Sequence, residues 1–262
     1  MDGEQMSYPS FEQFYFLTDG KLHEVAEVQK QYEIDPHSIV NFKGRMFCPE
    51  CRQAELRFTH QTHARTAFLS KIPSSQHREG CPYIHNYATK KELSVYISTL
   101  SKTQIQDRLE ATLNRLIPNQ HTNHTTSPRG IQQHPLIFKK QEENKHSTVK
   151  RLIPHKSLYS WFNREIEGEI FIFYGKVRLH VESFTPKKSS NNSTLYRLIV
   201  QTKRHEVWRY RTKIFRHTIK DEIDENRIYD LAVFGHIEFF DNKPQLKTET
   251  LTSIYFREST PD

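Results

Sequence analysis

The positions of the three cysteines constrain the fold of this 262-residue chain more than any other feature of its sequence. Cys48 and Cys51 form a Cys-x-x-Cys turn, and His77 and Cys81 form a His-x-x-x-Cys segment further along. A Cys-x-x-Cys turn on a β-hairpin brings two thiolates to one side of a metal ion. The second pair, on the first turn of a helix, brings a nitrogen and a third sulfur to the other side. We therefore predict one Zn²⁺ ion bound by these four residues, with a structural role because no coordination position stays open.

The sequence also allows other interpretations of these residues. The cysteines could be reduced, buried thiols that bind no metal. A thioredoxin-like redox pair is a further alternative, although the βαβ pattern that accompanies such pairs is missing around Cys48 and Cys51. His60 and His63 could also serve as ligands, but they would leave Cys81 without a role and close a very tight loop after Cys51.

The residues around the predicted ligands carry a family resemblance. A hairpin-like run, Tyr15-Phe16-Leu17-Thr18-Asp19-Gly20-Lys21, precedes Phe47-Cys48-Pro49-Glu50-Cys51, and Phe68 and the stretch His77-x-x-x-Cys81-Pro82-Tyr83 follow. This order resembles the N-terminal zinc-binding region of the competence protein CoiA and its relatives, in which a CP-x-C knuckle, an HF-x-H segment and a His/Cys pair succeed one another. The resemblance covers the first third of the chain. It departs from the family at the HF-x-H segment, where Ala67 and Ser70 stand at the histidine positions.

The resemblance implies a zinc site, and the nuclease domain that those relatives carry downstream would imply catalysis. Such a nuclease needs an Asp…Glu-x-Lys arrangement on adjoining strands. The Glu-x-Lys of this chain, Glu143-Asn144-Lys145, lies in a segment without a strand pattern. G-x-S-x-G, P-loop and G-x-G-x-x-G motifs are also missing, and the chain has only eight glycines with which to form a phosphate-binding loop. We therefore predict that the protein is not an enzyme.

Composition indicates the kind of partner and compartment. The formal charge of +7 and the pI of about 9.2 favour a polyanionic partner. Three cysteines, all used in a metal site, fit a reducing compartment. The polar N-terminus, MDGEQMSYPSFEQ, is unlike a signal peptide, and no apolar run approaches the ~20 residues that span a bilayer. We predict a soluble, cytoplasmic protein without a membrane partner.

Residues 1–117 are predicted to form a zinc-binding module followed by helices. A hairpin is expected at Asp19-Gly20. Two helices are expected after the zinc region, because a capping box at Ser101 and Gln104 separates two apolar stripes and Pro118 ends the second. The stripes consist of Leu93, Ile97, Leu100, Ile105, Leu109, Leu113 and Leu116.

Residues 118–150 are predicted to form a flexible linker, because the sequence there is polar and lacks periodicity. Its three histidines, His121, His124 and His134, lack a four-ligand pattern and are taken as solvated. Its final part is basic and could contact a phosphate backbone weakly. The residues concerned are Lys139, Lys140, Lys145, Lys150 and Arg151.

Residues 151–262 change to strand periodicity. Five runs are strand-like: 169–183, 194–204, 206–217, 228–240 and 245–257. Short helices are expected around 158–162 and over KDEIDEN at 220–226, and the order βββ-α-ββ is that of the OB-fold. Gly175 lies where the long first strand must bend, and the run from Ala232 to Phe256 resembles the last strands of nucleic-acid-binding OB-folds. We predict an α+β protein with an N-terminal zinc-knuckle module, following helices and a C-terminal five-stranded OB-fold β-barrel, with a small β-sandwich as the alternative.

Strict alternation divides the first three barrel strands into an inner and an outer face. It places Val177, Leu179, Val181, Leu198, Val200, Trp208, Tyr210 and Ile214 in the core. The outward positions and the loop after the first strand then form a basic surface of Lys176, Arg178, Lys187, Lys188, Arg197, Lys203, Arg209, Arg211 and Lys213. Glu182 is nearly alone as a carboxylate there, whereas a merely solvated face mixes both signs. A β-bulge would instead turn the two aromatic residues outward, an alternative that is less favourable because it would turn cations inward.

The basic surface lies on strands 2 and 3, where OB-folds hold oligonucleotides. We therefore predict a nucleic-acid-binding protein whose partner is single-stranded nucleic acid, with DNA favoured over RNA. One alternative is an adaptor that binds proteins within a larger assembly, for example in DNA processing or defence. Another is a divergent CoiA-like nuclease, which rests on the family resemblance alone.

Overall fold

Two compact units make up the structure, and their boundaries differ from the predicted domain boundaries. The computed structural model describes residues 10–63, 65–117, 134–141, 147–185, 194–204 and 206–260. Unit 1 combines the residues up to Ala88 with Leu136–Leu152. Unit 2 combines Thr89–Pro135 with the residues from Ile153 onward. The predicted α+β class is confirmed, but the two helices after residue 88 belong to the unit that holds the barrel.

Unit 1 is built from short antiparallel strands and one α-helix among its described residues. In chain order they are β1 (Ser10–Phe11), β2 (Gln13–Phe16), β3 (Lys21–Glu24), α1 (Val25–Ile34), β4 (Met46–Phe47), β5 (Leu56–Thr59), β6 (Phe68–Lys71), β7 (Ile137–Gln141) and β8 (Thr148–Leu152). The strands form the sheets β3-β2-β4, β1-β6-β5 and β7-β8. The predicted hairpin at Asp19-Gly20 joins β2 to β3, and Gly20 has a positive φ of 70°. Phe14, Met46, Leu56 and Leu69 are buried in this unit.

The predicted linker contains a β-hairpin in its described part. Strands β7 and β8 pair with Ile137 opposite Leu152 and Gln141 opposite Thr148. Burial of the apolar residues at its base stabilises the hairpin. The sequence predicts a linker there because the residues around them are polar and basic. His121, His124 and the Glu143–Lys145 segment lie outside the described residues.

Unit 2 begins with the two expected helices, α2 (Lys90–Thr99) and α3 (Lys102–Leu116). The predicted capping box is present, since the Ser101 side chain accepts from the Gln104 N–H at 3.2 Å and the Gln104 side chain accepts from the Ser101 N–H at 2.8 Å. Helix α3 contacts the barrel strands through a buried stripe that includes Leu109 and Leu113. An amphipathic stripe shows that a face is buried but does not identify the partner, which is why the helices were assigned to the wrong unit.

The remaining strands of unit 2 form a closed five-stranded β-barrel with two additional strands. They are β9 (His155–Ser157), β10 (Phe171–Phe184), β11 (Leu195–Arg204), β12 (Val207–His217), β13 (Tyr229–Phe240), β14 (Lys243–Thr248) and β15 (Ile254–Glu258). Strand β10 pairs with β11 along its second half and with β13 along its first, so the order β10-β11-β12-β14-β13 returns to β10. Strands β12 and β14 are parallel, and the other barrel pairs are antiparallel. The five strands close on themselves and do not form the alternative sandwich.

The predicted strand boundaries agree with the barrel except in the last run. That run divides into β14, which closes the barrel, and β15, which pairs with β13 outside it. The core is filled by inward side chains of the five strands and by Leu158 and Phe162. A Cβ atom at Gly175 would lie 3.2 Å from Cβ of Leu158, so the glycine lets the 158–162 segment approach β10 closely.

Two predicted short helices are not helical in the structure. Residues 158–162 form a turn and an extended stretch, because Leu158 and Phe162 both reach the barrel core. Residues 220–226 are irregular, because Asp221 pairs with the buried Arg216 at 2.7 Å and the Tyr229 hydroxyl accepts from the Asp224 N–H at 2.9 Å. These tertiary contacts override the local helix preference of the acidic sequence.

Candidate metal centre and barrel surface

The four predicted ligands lie together in unit 1. The ligand atoms of Cys48, Cys51, His77 and Cys81 are all within 4.8 Å of one another. Cys48 Sγ lies 3.8 Å from Cys81 Sγ, and His77 Nδ1 lies 3.4 Å and 3.5 Å from the sulfurs of Cys51 and Cys81. Tetrahedral Zn²⁺, with bonds of about 2.3 Å to sulfur and about 2.0–2.1 Å to nitrogen, requires edges of about 3.8 Å and about 3.5 Å. The cluster therefore has the dimensions to bind one metal ion and is consistent with a zinc site.

The Cys48–Cys51 turn is held by backbone hydrogen bonds at the end of β4. The Cys48 N–H donates to the carbonyl of Ala54 at 2.8 Å, and the Arg52 N–H donates to the carbonyl of Cys48 at 3.0 Å. Arg52 has a positive φ of 55°, which turns the chain back so that Phe47 pairs with Glu55. This is the knuckle on a β-hairpin that the Cys-x-x-Cys spacing predicted.

The second ligand pair lies on a loop and not on the predicted helix. Gly80 has a positive φ of 81°, and Cys81 precedes a short 3-10 helix at Pro82–Ile84. A helical turn would have carried His77 and Cys81 on one face, but the glycine breaks it while still bringing both ligand atoms to the cluster. The four predicted ligand residues do lie together, but the predicted helix is wrong.

The electrostatic environment favours the thiolate form of two of the three cysteines, Cys51 and Cys81. The pKa of Cys81 is lowered to about 4, first because the Cys48 thiol donates a hydrogen bond to it and further because His77 interacts with it. The same hydrogen bond, with burial, raises the pKa of Cys48. Burial opposes ionisation of Cys51, but backbone N–H groups of Ala54 and Arg78 point at its sulfur and its pKa is lowered. Thiolates are the form in which cysteine binds metals.

The alternative ligands His60 and His63 are not part of the cluster. The His60 ring stacks on Tyr32 with centroids 4.9 Å apart. Cys81 is a cluster member, as the preferred assignment required.

On the barrel, a β-bulge overturns the predicted alternation in β12. Val200 of β11 pairs with Thr212, but Gln201 pairs with Tyr210, so the strand register passes over Arg211 as one extra residue. Beyond this bulge the side chains of β12 exchange faces. Tyr210, predicted to be in the core, is 46% exposed and lies on the outer face. Trp208 is only half-buried on the same face.

The bulge redistributes the cations that were predicted to form one surface. Lys176, Arg178, Arg197, Lys203 and Lys213 keep their outward positions, because their strand neighbours are the buried core residues. Arg209 and Arg211 do not. Arg209 takes an inward position at the end of β12 where the barrel opens, and it remains exposed. Lys187 and Lys188 lie outside the described residues.

The Arg211 side chain packs against the 158–162 segment. Its guanidinium lies 3.5 Å from the centre of the Phe162 ring, and it donates a hydrogen bond to the carbonyl of Ser160. It therefore fixes the 158–162 segment, whose apolar residues enter the barrel core. A second extra residue in β12, Arg216, is buried and paired with Asp221.

We call the outward side chains of β10, β11 and β12 the outer face. This face is less uniformly basic than the sequence predicts. Arg197 forms a two-bond ion pair with Glu182 at 2.6 and 2.8 Å, which lowers the pKa of that carboxyl group. Lys203 pairs with Glu206 at 2.5 Å. Arg178 lies 5.0 Å above the Trp208 ring.

A groove of about 550 Å³ opens on the outer face beside Tyr210. One side is formed by β10, β11 and β12, and the other by the turn between β13 and β14. Asp241 and Asn242 form this turn with positive φ values of 47° and 58°, as in a two-residue hairpin turn. Arg164 donates to Asn242 Oδ1 at 2.9 Å and helps fix the turn. The groove is lined by Glu182, Arg197, Ile199, Tyr210, Arg211, Lys213, Asn242, Lys243 and Pro244.

Comparisons with protein-family models, with curated proteins and with solved structures found no match for this chain. Within the described residues, no helix is long and apolar enough to cross a membrane.

Proposed function

We propose that this protein binds single-stranded nucleic acid, with DNA favoured over RNA, on the outer face of its barrel. We also propose that Cys48, Cys51, His77 and Cys81 hold one structural Zn²⁺ ion in unit 1. With all four positions of a tetrahedral ion taken by protein, the ion would supply folding free energy and no catalytic chemistry.

The strand order supports assignment of the barrel as an OB-fold. The five strands run 1-2-3-5-4 and return to strand 1, with a parallel pair between the third and fifth. Strands 2 and 3 of an OB-fold, with the loops between strands 1 and 2 and between strands 4 and 5, form its oligonucleotide-binding surface. The corresponding elements here are β11, β12 and the Asp241–Asn242 turn, which together border the groove beside Tyr210.

The observation that carries the proposal is the bulge at Arg211. It turns Tyr210 and Trp208 to the face that bears Arg178 and Lys213. Proteins that bind single strands combine aromatic platforms, on which bases stack, with cations that follow the backbone. The regular alternation expected from the sequence would have left this face without either aromatic residue.

The groove has a suitable size and wall chemistry for a nucleotide. Its volume of about 550 Å³ lies within the ~300–1,000 Å³ range of small-molecule sites. Tyr210 provides an aromatic wall and Pro244 an apolar one, while Lys213 and Lys243 supply positive charge for a phosphate. The ion pair between Glu182 and Arg197 adds both an acceptor and donors for a base edge.

The test is binding of a fluorescently labelled single-stranded oligonucleotide, measured by anisotropy over a range of salt concentrations. Tyr210→Ala is expected to weaken binding by about 5- to 150-fold, the equivalent of the ~1–3 kcal/mol that one stacked base contributes. Its salt slope should equal that of the parent, because no charge is removed. Lys213→Ala should instead lower the slope by about 0.7, the value for one phosphate contact on a single strand.

The matched control is Leu251→Ala, which removes an exposed apolar side chain between β14 and β15 and should leave binding unchanged. If Tyr210→Ala binds like the parent, base stacking on the outer face is refuted. If the parent binds no nucleic acid at low salt but retains an acidic protein, the adaptor function replaces the proposed one.

A further inference from the structure

The two strands of the β7–β8 hairpin in unit 1 are basic, whereas the residues that join them in the sequence include Glu142 and Glu143. The strands, Ile137–Gln141 and Thr148–Leu152, contain four cations and no carboxylate. The cations are Lys139, Lys140, Lys150 and Arg151. Such a ribbon is a candidate surface for a polyanion.

The register of the hairpin places two of these cations directly opposite each other. Lys139 pairs with Lys150, and both side chains are exposed. Residues directly opposite in an antiparallel pair have Cβ atoms about 4.5–5.5 Å apart, and like charges in that arrangement are destabilising. An anion between the two ammonium groups would remove the repulsion.

The direction of this lysine pair is fixed by the base of the hairpin. Ile137 and Leu152 lie opposite each other two positions closer to the base, so they share a face with Lys139 and Lys150. Because both are buried, the hairpin cannot rotate about its long axis. The lysines therefore project from one defined side.

The base of the hairpin is also attached to the chain just after the last metal ligand. The Leu152 N–H donates to the carbonyl of Asn86 at 2.9 Å, and the Ala88 N–H donates to the carbonyl of Leu152 at 2.8 Å. Cys81 lies five residues before Asn86, at the start of the Pro82–Ile84 turn. The metal cluster thus anchors the segment on which the hairpin is built.

We propose that Lys139 and Lys150 form a second contact surface for nucleic acid, one that holds the sugar–phosphate backbone and does not contact bases. Two ammonium groups side by side suit phosphate oxygens as point charges, and they offer no aromatic surface for stacking. The partner class is that of the proposed function, but the residues are independent of the barrel. In this scheme unit 1 has a binding role beyond the stability of its own fold.

The experiment uses the full-length, zinc-loaded chain and two labelled probes, a single-stranded oligonucleotide and an abasic strand of the same length. Lys139→Ala/Lys150→Ala should lower the salt slope by about 1.4 on both probes, twice the ~0.7 per phosphate of a single strand. Tyr210→Ala should weaken binding only to the strand that carries bases. Because removal of a like-charge pair relieves repulsion, the double variant should fold and retain its zinc.

The matched control is Lys30→Ala/Lys43→Ala, which removes two exposed lysines elsewhere in unit 1 and should keep the parent slope. A second double variant, Lys139→Gln/Lys150→Gln, retains longer polar side chains and should reproduce the lower slope. If both hairpin variants keep the parent slope on both probes, the second surface does not exist, whatever the Tyr210 result. If only the hairpin variants change binding, the second surface stands and the barrel function fails.

Discussion

At the scale of single residues, a bulge at one arginine changes which side chains the outer face of the barrel presents. Arg211 is the extra residue of the bulge, and its side chain finds both a ring and a carbonyl in the 158–162 segment. Arg204 also donates to the carbonyl of Tyr159 at 2.9 Å, so two arginines hold that segment against the barrel. Bulges often lie next to binding sites because they change the direction of nearby side chains.

The backbone of Gly235 lies too close to the neighbouring strand to leave room for a side chain. A Cβ atom there would overlap the carbonyl oxygen of Lys247 on the neighbouring strand, which is backbone and cannot rotate away. Gly235→Ala is expected to reduce the free energy of unfolding by at least the ~1–3 kcal/mol typical of overpacking. Chemical denaturation of unit 2 measures the loss.

The control for this change is Gly175→Ala, whose new methyl group would meet a side-chain carbon of Leu158 at 3.2 Å. Because 3.2 Å is a tight contact whereas the 2.0 Å at Gly235 is an overlap, a smaller loss is expected. Equal losses for the two variants would contradict the backbone clash at Gly235.

At the scale of elements, the strands were the most predictable part and the reasons are local. The strand-like runs located β10 to β13 within a few residues, because β11 and part of β10 and β12 alternate in burial and β13 is an apolar, mostly buried run. The metal cluster was predictable because cysteine and histidine spacing is itself a geometric constraint.

The bulge was not predictable from the same pattern, since counting alternate residues assumes that every residue has a partner. Thr212, Ile214 and Tyr210 share the same parity in the sequence, yet Tyr210 lies on the opposite face. The β7–β8 hairpin was missed for a different reason. Its buried residues form short apolar groups, which lysines and polar residues conceal.

Loss of the metal is expected to affect the elements of unit 1 and to spare those of unit 2. Structural zinc contributes apparent binding free energies of about 10–16 kcal/mol in small domains, as much as the ~5–15 kcal/mol by which a typical native protein is stable. Cys51→Ser should release the metal and unfold unit 1, including the hairpin, while hydrogen exchange in the barrel strands stays slow. Elemental analysis and exchange mass spectrometry provide the two measurements.

His60→Ala is the control for that prediction, since His60 lies outside the cluster. It should retain one zinc per chain. A parent protein that contains no zinc after purification, or a Cys51→Ser variant with undiminished protection in β4 and β5, would refute the structural role.

At the scale of the whole molecule, the two units are interleaved along the chain. Unit 1 includes Leu136–Leu152 and unit 2 includes Thr89–Pro135. Cleavage of the chain at one position therefore cannot separate the two units. Helix α3 covers part of the barrel, and Gln106 donates to the carbonyls of Thr252 and Ile254 at 2.5 and 2.8 Å. The predicted domain 151–262 lacks this helix.

The fragment 151–262 is therefore expected to be less stable than the fragment 89–262, which includes α3. Without the helix, apolar surface that Leu109 and Leu113 would contact becomes exposed and should bind a hydrophobic dye. Thermal unfolding by circular dichroism, with dye fluorescence on the same samples, compares the two fragments. Equal unfolding temperatures and no dye binding would show that the barrel is complete without α3.

The interleaving also sets an order of events during synthesis on the ribosome. Helix α3 is complete at residue 116, but the strand β15 that it packs against ends only at residue 258. At elongation rates of about 5–20 residues per second, its apolar stripe spends roughly 7–28 s outside the ribosome before that partner strand exists. Unit 1 waits as well, since its second segment follows α3. Unit 1 is complete once Leu152 has been synthesised and can fold while the barrel strands are still being made, whereas the apolar stripe of α3 stays uncovered until β15 follows.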